Sequence, residues 1–315
     1  MQVSGITASE MKLYSIVVTF NGEIWISKCI HSLIHSNIQD HEIIIIDNNS
    51  TDKTVSIIED NFLSSVKVIK SKVNLGFGKA NNIGIELALQ ESADYVFLLN
   101  QDAWVEEDTI AKLIQEQKKN IQYGLVSPLH LNNQGSLDKL FYTYIRGNHD
   151  LISCLAVKMD HNFIAENSFI NAATWLLSRN CLLTVGLFNP LFPHYGEDKD
   201  YVNRLYFHGF KLGVHLGAFA VHDRDQQITS KYRQSNKKLF KRILISYFGV
   251  LLNINENSNQ IIRSLFRQVY SNVKNCLIRS RFLAALYSML ILFIMPFYFN
   301  KIKESRLKSR KKYVQ

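Results

Sequence analysis

The stretch LLNQDAWV, Leu98 to Val105, sets an apolar run directly against Asn100, Gln101 and Asp102. With the preceding Tyr95, Val96 and Phe97, Leu98 and Leu99 make an uncharged apolar segment that shows no helical spacing. Such a run suits a strand covered on both faces, as in a parallel sheet. A carboxylate at the tip of that strand either caps the next helix or faces a ligand.

The pattern repeats upstream. YSIVVTF (Tyr14–Phe20) and EIIIIDNNS (Glu42–Ser50) are β-branched apolar runs, and VKVIKS (Val66–Ser71) is a third strand. Between them, IWISKCIHSLIHS and GKANNIGIELALQES carry apolar residues at helical spacing, and a further helix is expected from about Glu106 to Lys119. Strands alternating with helices predict an α/β fold, a mostly parallel central sheet with helices on both faces. Ligands bind such sheets at the carboxyl ends of the strands, which gathers Thr19, Asn21, Asp47 and Asp102 at one edge. Downstream, residues 130–165 are expected to form a loop-rich insertion. FINAATWLLSR (Phe169–Arg179) reads as a strand or strand–helix junction. A helix is expected from Glu197 to Gly209, then a strand over Lys211–His222.

The 315 residues, 47% of them hydrophobic, suffice for one large domain with an appendage. The net charge of +9 is unevenly spread. Residues 1–230 hold 18 Lys and Arg against 25 Asp and Glu, while residues 231–315 hold 18 against only Glu256 and Glu304. The basic pI therefore describes the tail, and a cationic tail implies a polyanionic partner, a membrane face or nucleic acid. Phe282–Phe299 is apolar throughout, near the lower length limit for a bilayer span, and contains Pro296. Polybasic segments flank it, so attachment to an anionic membrane surface competes with a buried helix or a dimer interface. Residues 1–10 carry no strong pattern and lack the apolar core of a secretory signal; disorder is expected there. The organisation read from this is a catalytic domain over 11–230 and a basic, apolar helical region over 231–315. Cys29, Cys154, Cys181 and Cys276 include no CxxC, which argues against a zinc site or disulfide framework and fits a reducing compartment.

Five motifs sit where the chemistry belongs. Asp47 in DNNSTDKT can accept from a nucleobase or ribose, or begin a turn and cap with its neighbours. Asn74–Gly84, NLGFGKANNIG, places Gly76 and Gly78 at a helix start where exposed N–H groups suit a diphosphate. It matches neither the dinucleotide fingerprint nor a Walker loop. Asp102 offers one carboxylate, enough for Mg²⁺ only when phosphates complete the shell. Glu197, Asp198 and Asp200 crowd a helix N-terminus, as a charged cap or as a general base whose proton affinity its neighbours raise. His222 ends a strand and is a structural His or a metal ligand.

The order TFN, DNNS, NLGFGKANN, NQD, GED, His resembles the family 2 glycosyltransferases with the GT-A fold, most nearly those that transfer rhamnose or related sugars in polysaccharide synthesis. The resemblance runs from about Lys12 to Asp225. It implies that Thr19, Asn21 and Asp47 hold the nucleotide, and that Asn74, Gly76, Gly78, Asn81 and Asn82 shape the donor pocket with Gln101. It implies Mg²⁺ or Mn²⁺ on Asp102 and His222, with Asn100 standing where the family has the first Asp of its DxD. Asp198 matches the catalytic base, Glu197 supports it, and Thr174 and Trp175 lie where acceptor contacts are expected. The implied donor is a dTDP- or UDP-sugar, the acceptor a glycan or lipid-linked hydroxyl, and the place the inner face of the cytoplasmic membrane. A homodimer is possible; nucleic acid is not an expected partner. Two other readings compete: a nucleotidyltransferase, for which the Gly-rich basic stretch after the first strand is missing, and a non-catalytic polyanion binder using the tail.

Overall fold

The computed structural model describes residues 11–157, 162–192, 194–223 and 236–313. Residues 1–10, the Arg224 and Asp225 of VHDRD, and the domain boundary near 230 lie outside the described residues.

The first strands are β1 (Leu13–Thr19), β2 (His41–Asp47), β3 (Lys67–Lys70) and β4 (Tyr95–Asn100). They align in parallel in the order β3-β2-β1-β4. Helices α1 (Ile26–Ile34), α2 (Thr54–Phe62) and α3 (Phe77–Gln90) connect them. The uncharged strands follow from burial on both faces. Ile16, Ile44, Ile46 and Leu98 pack with Ala80 and Ile85 of α3. Val17, Ile43, Ile45 and Leu99 pack with Ile30 and Leu33 of α1 on the other face. Side chains alternate across a strand, so each run feeds two cores.

The sheet continues through β5 (Ala103–Val105), α4 (Thr109–Lys119), β6 (Tyr123–Leu131), β7 (Ile164–Glu166), β8 (Thr174–Ser178) and β9 (Lys211–His222). Its full order is β3-β2-β1-β4-β8-β6-β9-β5, with β7 paired to β9. β8 runs antiparallel to both neighbours, setting Trp175 opposite Leu98. β6 and β9 are parallel, while β5 is antiparallel to β9 and sets Ala103 opposite His222. This brings the start of β8 and the end of β9 to the edge where β1, β2 and β4 finish.

Residues 130–165 are less loop-like than expected. β6 reaches Leu131, and two short helices follow, α5 (Lys139–Ile145) and α6 (His149–Ala156). Their N-caps Asp138 and Asn148 accept from Phe141 and Leu151 N–H. β6 escapes a sequence reading because it contains Pro128. Proline is tolerated there because the β6–β9 register shifts between Pro128, opposite His215, and Leu129, opposite Phe219. After β8 come α7 (Arg179–Val185) and α8 (Glu197–Phe207).

The basic tail folds into α9 (Asn236–Leu251), α10 (Ser258–Ile278) and α11 (Phe282–Ser309). These share a third apolar core in which Tyr247, Phe248, Ile291 and Met295 meet Phe192 from the segment before α8. The end of α11 is tied down as well. Asn189 Nδ2 donates to Ser305 Oγ at 3.0 Å, and Tyr313 N–H donates to the Thr184 carbonyl at 3.1 Å.

Candidate donor and catalytic site

The tips of β1, β2 and β4 interlock through short polar bonds. Thr19 is fully buried, and its hydroxyl donates to Gln101 Oε1 at 2.7 Å. The same oxygen accepts from Phe20 N–H at 2.8 Å, and Gln101 Nε2 returns a bond to the Phe20 carbonyl at 3.2 Å. Gln101 thus acts as a strut between β1 and β4. Asn21 adopts a left-handed conformation, φ 51°, and its Oδ1 accepts from Thr51 N–H at 2.8 Å. Asp47 is nearly fully buried, and both its oxygens accept from Ser50 N–H at 3.2 and 3.3 Å. Asn48 joins this loop to the glycine segment. Its Oδ1 accepts from Leu75 N–H at 2.7 Å and its Nδ2 donates to Asn74 Oδ1 at 3.1 Å. Asn74 Oδ1 also accepts from Gly76 N–H at 3.0 Å. The sequence places Asn48 with Asn49 and Ser50 in a turn and cap; the bonds to Leu75 and Asn74 add a link to the glycine segment.

Gly76 precedes α3 at φ 81° and ψ 168°, a conformation that excludes most side chains. Gly78 serves contact: a Cβ there would lie 3.1 Å from Phe188 Cβ and 3.6 Å from Glu197 Cβ. Position 78 thus leaves room for Phe188 of the segment before α8, and Glu197 of α8 lies within contact distance of α3 there. Asn82 clamps the intervening segment, donating to the Phe188 carbonyl and accepting from Phe188 N–H, each at 2.9 Å. Asn81 is buried and donates to its own helix at the Phe77 carbonyl, 3.0 Å away.

The chain enters α8 through two left-handed residues, Tyr195 at φ 70° and Gly196 at φ 87°. That entry aims three carboxylates into different surroundings. Glu197 is 4% exposed and its Oε2 has no hydrogen-bond partner. Burial pushes its carboxyl up to about 7, and the neighbouring Asp198 charge adds to the rise. Asp198 is half-buried. Burial raises its carboxyl too, opposed by N–H donors including those of Lys199 and Ala172. Ala172 lies just before β8, so Asp198 sits where the β8 entry meets α8. Asp200 turns inward to Arg204 Nε at 2.8 Å and is structural.

A buried acid at about 7 has a consequence for stability. Its neutral form favours the fold, so its contribution is complete below 4.5 and is lost as pH rises through about 7. Glu197→Gln is therefore expected to be more stable than wild type at pH 8, by ~3 kcal/mol from the size of the shift. Near pH 4 the difference disappears. Urea midpoints at the two pH values check this.

At the other side of the edge, His222 Nε2 lies 3.3 Å from Asp102 Oδ1, both side chains buried. Asp223 N–H donates to the Asp102 carbonyl at 2.8 Å, and Asp223 Oδ2 accepts from Trp25 Nε1 at 3.1 Å. Buried Asp223 Oδ1 and His222 Nδ1 have no partner. These orphaned donor atoms fit a divalent cation whose shell substrate phosphates complete. Among the described residues no three His, Cys, Asp or Glu side chains form a ready cluster, so the protein alone does not complete a shell. Asp223 was missed in the sequence because only its neighbour His222 ended the strand pattern.

Thr174 and Trp175 correct an expectation. Both are fully buried. Thr174 Oγ1 bonds His130 Nε2 at 2.5 Å, and Trp175 stacks on Phe188 with ring centroids 6.1 Å apart. Both face the core because β8 is an interior strand between β4 and β6. Asn171, upstream in the same stretch, keeps a buried Oδ1 without a partner near the site.

Residues 15–150 match the family model for glycosyl transferase family 2. Glycosyltransferase GlyG of Streptococcus pneumoniae is 25% identical over 207 residues, 64% of this chain and 65% of that protein. The GalNAc(5)-diNAcBac-PP-undecaprenol beta-1,3-glucosyltransferase of Campylobacter jejuni is 30% identical over 41% of this chain and 42% of its own length. The chain thus spans less than two thirds of either relative. The crystal structure of GalNAc-T7 with UDP, GalNAc and Mn²⁺ superposes at a TM-score of 0.56, with 15% identity, over 78% of this chain and 51% of that one. Residues 15–150, from β1 to the start of α6, thus match the glycosyl transferase family 2 model, and the chain shares the GT-A fold of this neighbour beyond them.

Proposed function

We propose that the chain is an inverting glycosyltransferase. It moves a sugar from a nucleoside-diphosphate sugar to a hydroxyl of a glycan or lipid-linked acceptor in cell-surface polysaccharide synthesis. The observation that carries this reading is the contact at Gly78, which sets Glu197 and Asp198 beside the helix that opens the donor loop. Asp198 takes the proton of the acceptor hydroxyl. That oxygen bonds to the anomeric carbon as the sugar–phosphate bond breaks, and the nucleoside diphosphate leaves with the electron pair. One base and no second nucleophilic carboxylate favours inversion in a single displacement. Glu197, buried and half-protonated near neutrality, positions the acceptor or supports Asp198. Thr19, Asn21 and Asp47, with Asn48, frame the nucleotide end of the cleft, and the free N–H groups of α3 face the diphosphate.

Asp102, His222 and Asp223 are the residues to hold Mg²⁺ or Mn²⁺, which when bound neutralises charge on the leaving diphosphate. The relative solved with UDP and Mn²⁺ supports such a donor and metal. A dTDP-sugar, rhamnose included, remains within the same reading. The undecaprenol-linked substrate named for the C. jejuni relative supports a lipid-linked acceptor, and hence a site at the inner face of the cytoplasmic membrane reached through residues 231–315. The test is nucleoside diphosphate release from a panel of sugar nucleotides with Mn²⁺, with Mg²⁺ and with EDTA. Release from one donor, abolished by EDTA, is the expected result. No release, together with no binding of free nucleotides, would end the reading.

A further inference from the structure

α11 is apolar on every side, yet only one side is covered. Ala284, Ala285, Ser288, Ile291 and Met295 lie along its inward line. The opposite line, Phe282, Leu286, Leu290, Phe293 and Phe297, is exposed: 75% at Phe293 and 84% at Phe297. A helix apolar all round belongs in a core or in lipid, and here the core takes half of it. α10 lies alongside and exposes a second apolar line, Ile262, Phe266 and Tyr270. A cleft of about 830 Å³ lies between the two helices, walled by Ile262 and Leu265 of α10 and by Leu292, Pro296 and Phe299 of α11, so apolar surface continues from one helix to the other and makes one face. The turn between the helices adds Ile278, 71% exposed.

Cations interleave this face. Arg263, Arg267 and Lys274 are exposed on α10, and Arg279 and Arg281 flank the turn, against Glu256 and Glu304 as the only acids of the region. Apolar area ringed by Lys and Arg complements an anionic lipid surface, where these side chains reach the headgroups while their neighbours enter the acyl region.

We propose that the α10–α11 hairpin lies in the plane of an anionic membrane with this face in one leaflet, and that α11 does not cross the bilayer. The inference rests on the peripheral attachment proposed above and gives it a geometry. By length and composition α11 alone is fit to span. It is held against α9 along its length, by Phe240 on Tyr287 at 5.3 Å and by Phe248 on Tyr298 at 5.2 Å between ring centroids, and it packs on α10 as well. A span would carry Arg267 and Lys274 of its neighbour into hydrocarbon, where charge is costly. It would also pull Ser305 from Asn189 and Tyr313 from Thr184. Lying flat keeps every one of these contacts.

The test uses the full chain and vesicles of phosphatidylglycerol with phosphatidylcholine. Wild type is expected to float with them and to stay bound when salt is raised. The double variant Phe293→Glu with Phe297→Glu, both at exposed positions, is expected to lose at least ~10-fold in bound fraction while keeping its circular dichroism and nucleotide binding. In a Phe293→Trp variant, lipids brominated near the headgroup end of the chain should quench more strongly than lipids brominated near its methyl end. If wild type floats but the double Glu variant floats equally, or if methyl-end bromines quench best, the in-plane geometry is wrong and attachment stands. If wild type does not float, attachment fails with it. If Phe293 proves shielded in a dimer that ignores vesicles, the face belongs to a second copy instead.

Discussion

Asp198→Asn is expected to lower turnover by roughly 10²- to 10⁴-fold, the usual range for removing a positioned general base. Nucleotide binding and the unfolding midpoint should be unchanged. The carboxylate is half-buried, its Oδ1 accepts from the adjacent Lys199 N–H at 2.7 Å, and an amide oxygen can keep that bond. The proton-accepting function alone is lost. Single-turnover nucleoside diphosphate release, compared with isothermal binding of the nucleotide, separates the two effects. A variant that retains wild-type turnover would remove Asp198 from the chemistry and leave Glu197, the more deeply buried neighbour, as the base.

Two residues further along, the same kind of substitution acts on stability. Asp200→Ala is expected to destabilise the fold by about 3–5 kcal/mol, because it strands a buried guanidinium. Arg204 is 3% exposed and donates through Nε to Asp200 at 2.8 Å, while its other nitrogens donate to the Val185 and Leu187 carbonyls at 2.7 and 2.9 Å. Burial pushes the Asp200 carboxyl up, and Arg204 opposes that rise. The two surviving carbonyl bonds place the expected loss toward the lower end of the range. Arg204→Met combined with Asp200→Ala should cost less than the two single losses added, since no unpaired charge then remains. Urea midpoints of the four proteins measure the coupling. Strictly additive losses would show that the pair is not an energetic unit. The contrast between Asp198 and Asp200 also tests the whole arrangement of α8, whose first turn leaves one carboxylate half-exposed and sends another to the core.

Much of this was legible without coordinates. The parallel half of the sheet could be read because β1, β2 and β4 are built on continuous apolar runs, a pattern that burial on both faces produces. The ends of β9 were read to the residue, since Gly209 and His222 bracket an unbroken apolar alternation. β6 was not, because Pro128 signals against a strand and only its pairing partner reveals the register shift that accommodates it. The acidic positions were visible from their order along the chain. Their division of labour was not: GEDKDY offers three carboxylates within four residues, and only the left-handed entry at Tyr195 and Gly196 decides which faces the cleft.

Tertiary structure alone settled the rest. The family resemblance put Trp175 on the acceptor side, and β8 inserts between β4 and β6, which buries it. Gln101 looked like a ligand group and is a strut, because the tip of β1 happens to present Thr19 and Phe20 to it. Asn48 and Asp223 acquire their places from partners distant in sequence, Asn74 in one case and Trp25 in the other. The tail divides in the same way. Composition by itself determined that residues 231–315 are cationic and apolar, because charge and hydropathy are sums over residues. Which side of α11 is covered depends on where α9 and α10 lie, and periodicity is silent on a helix that is apolar all round.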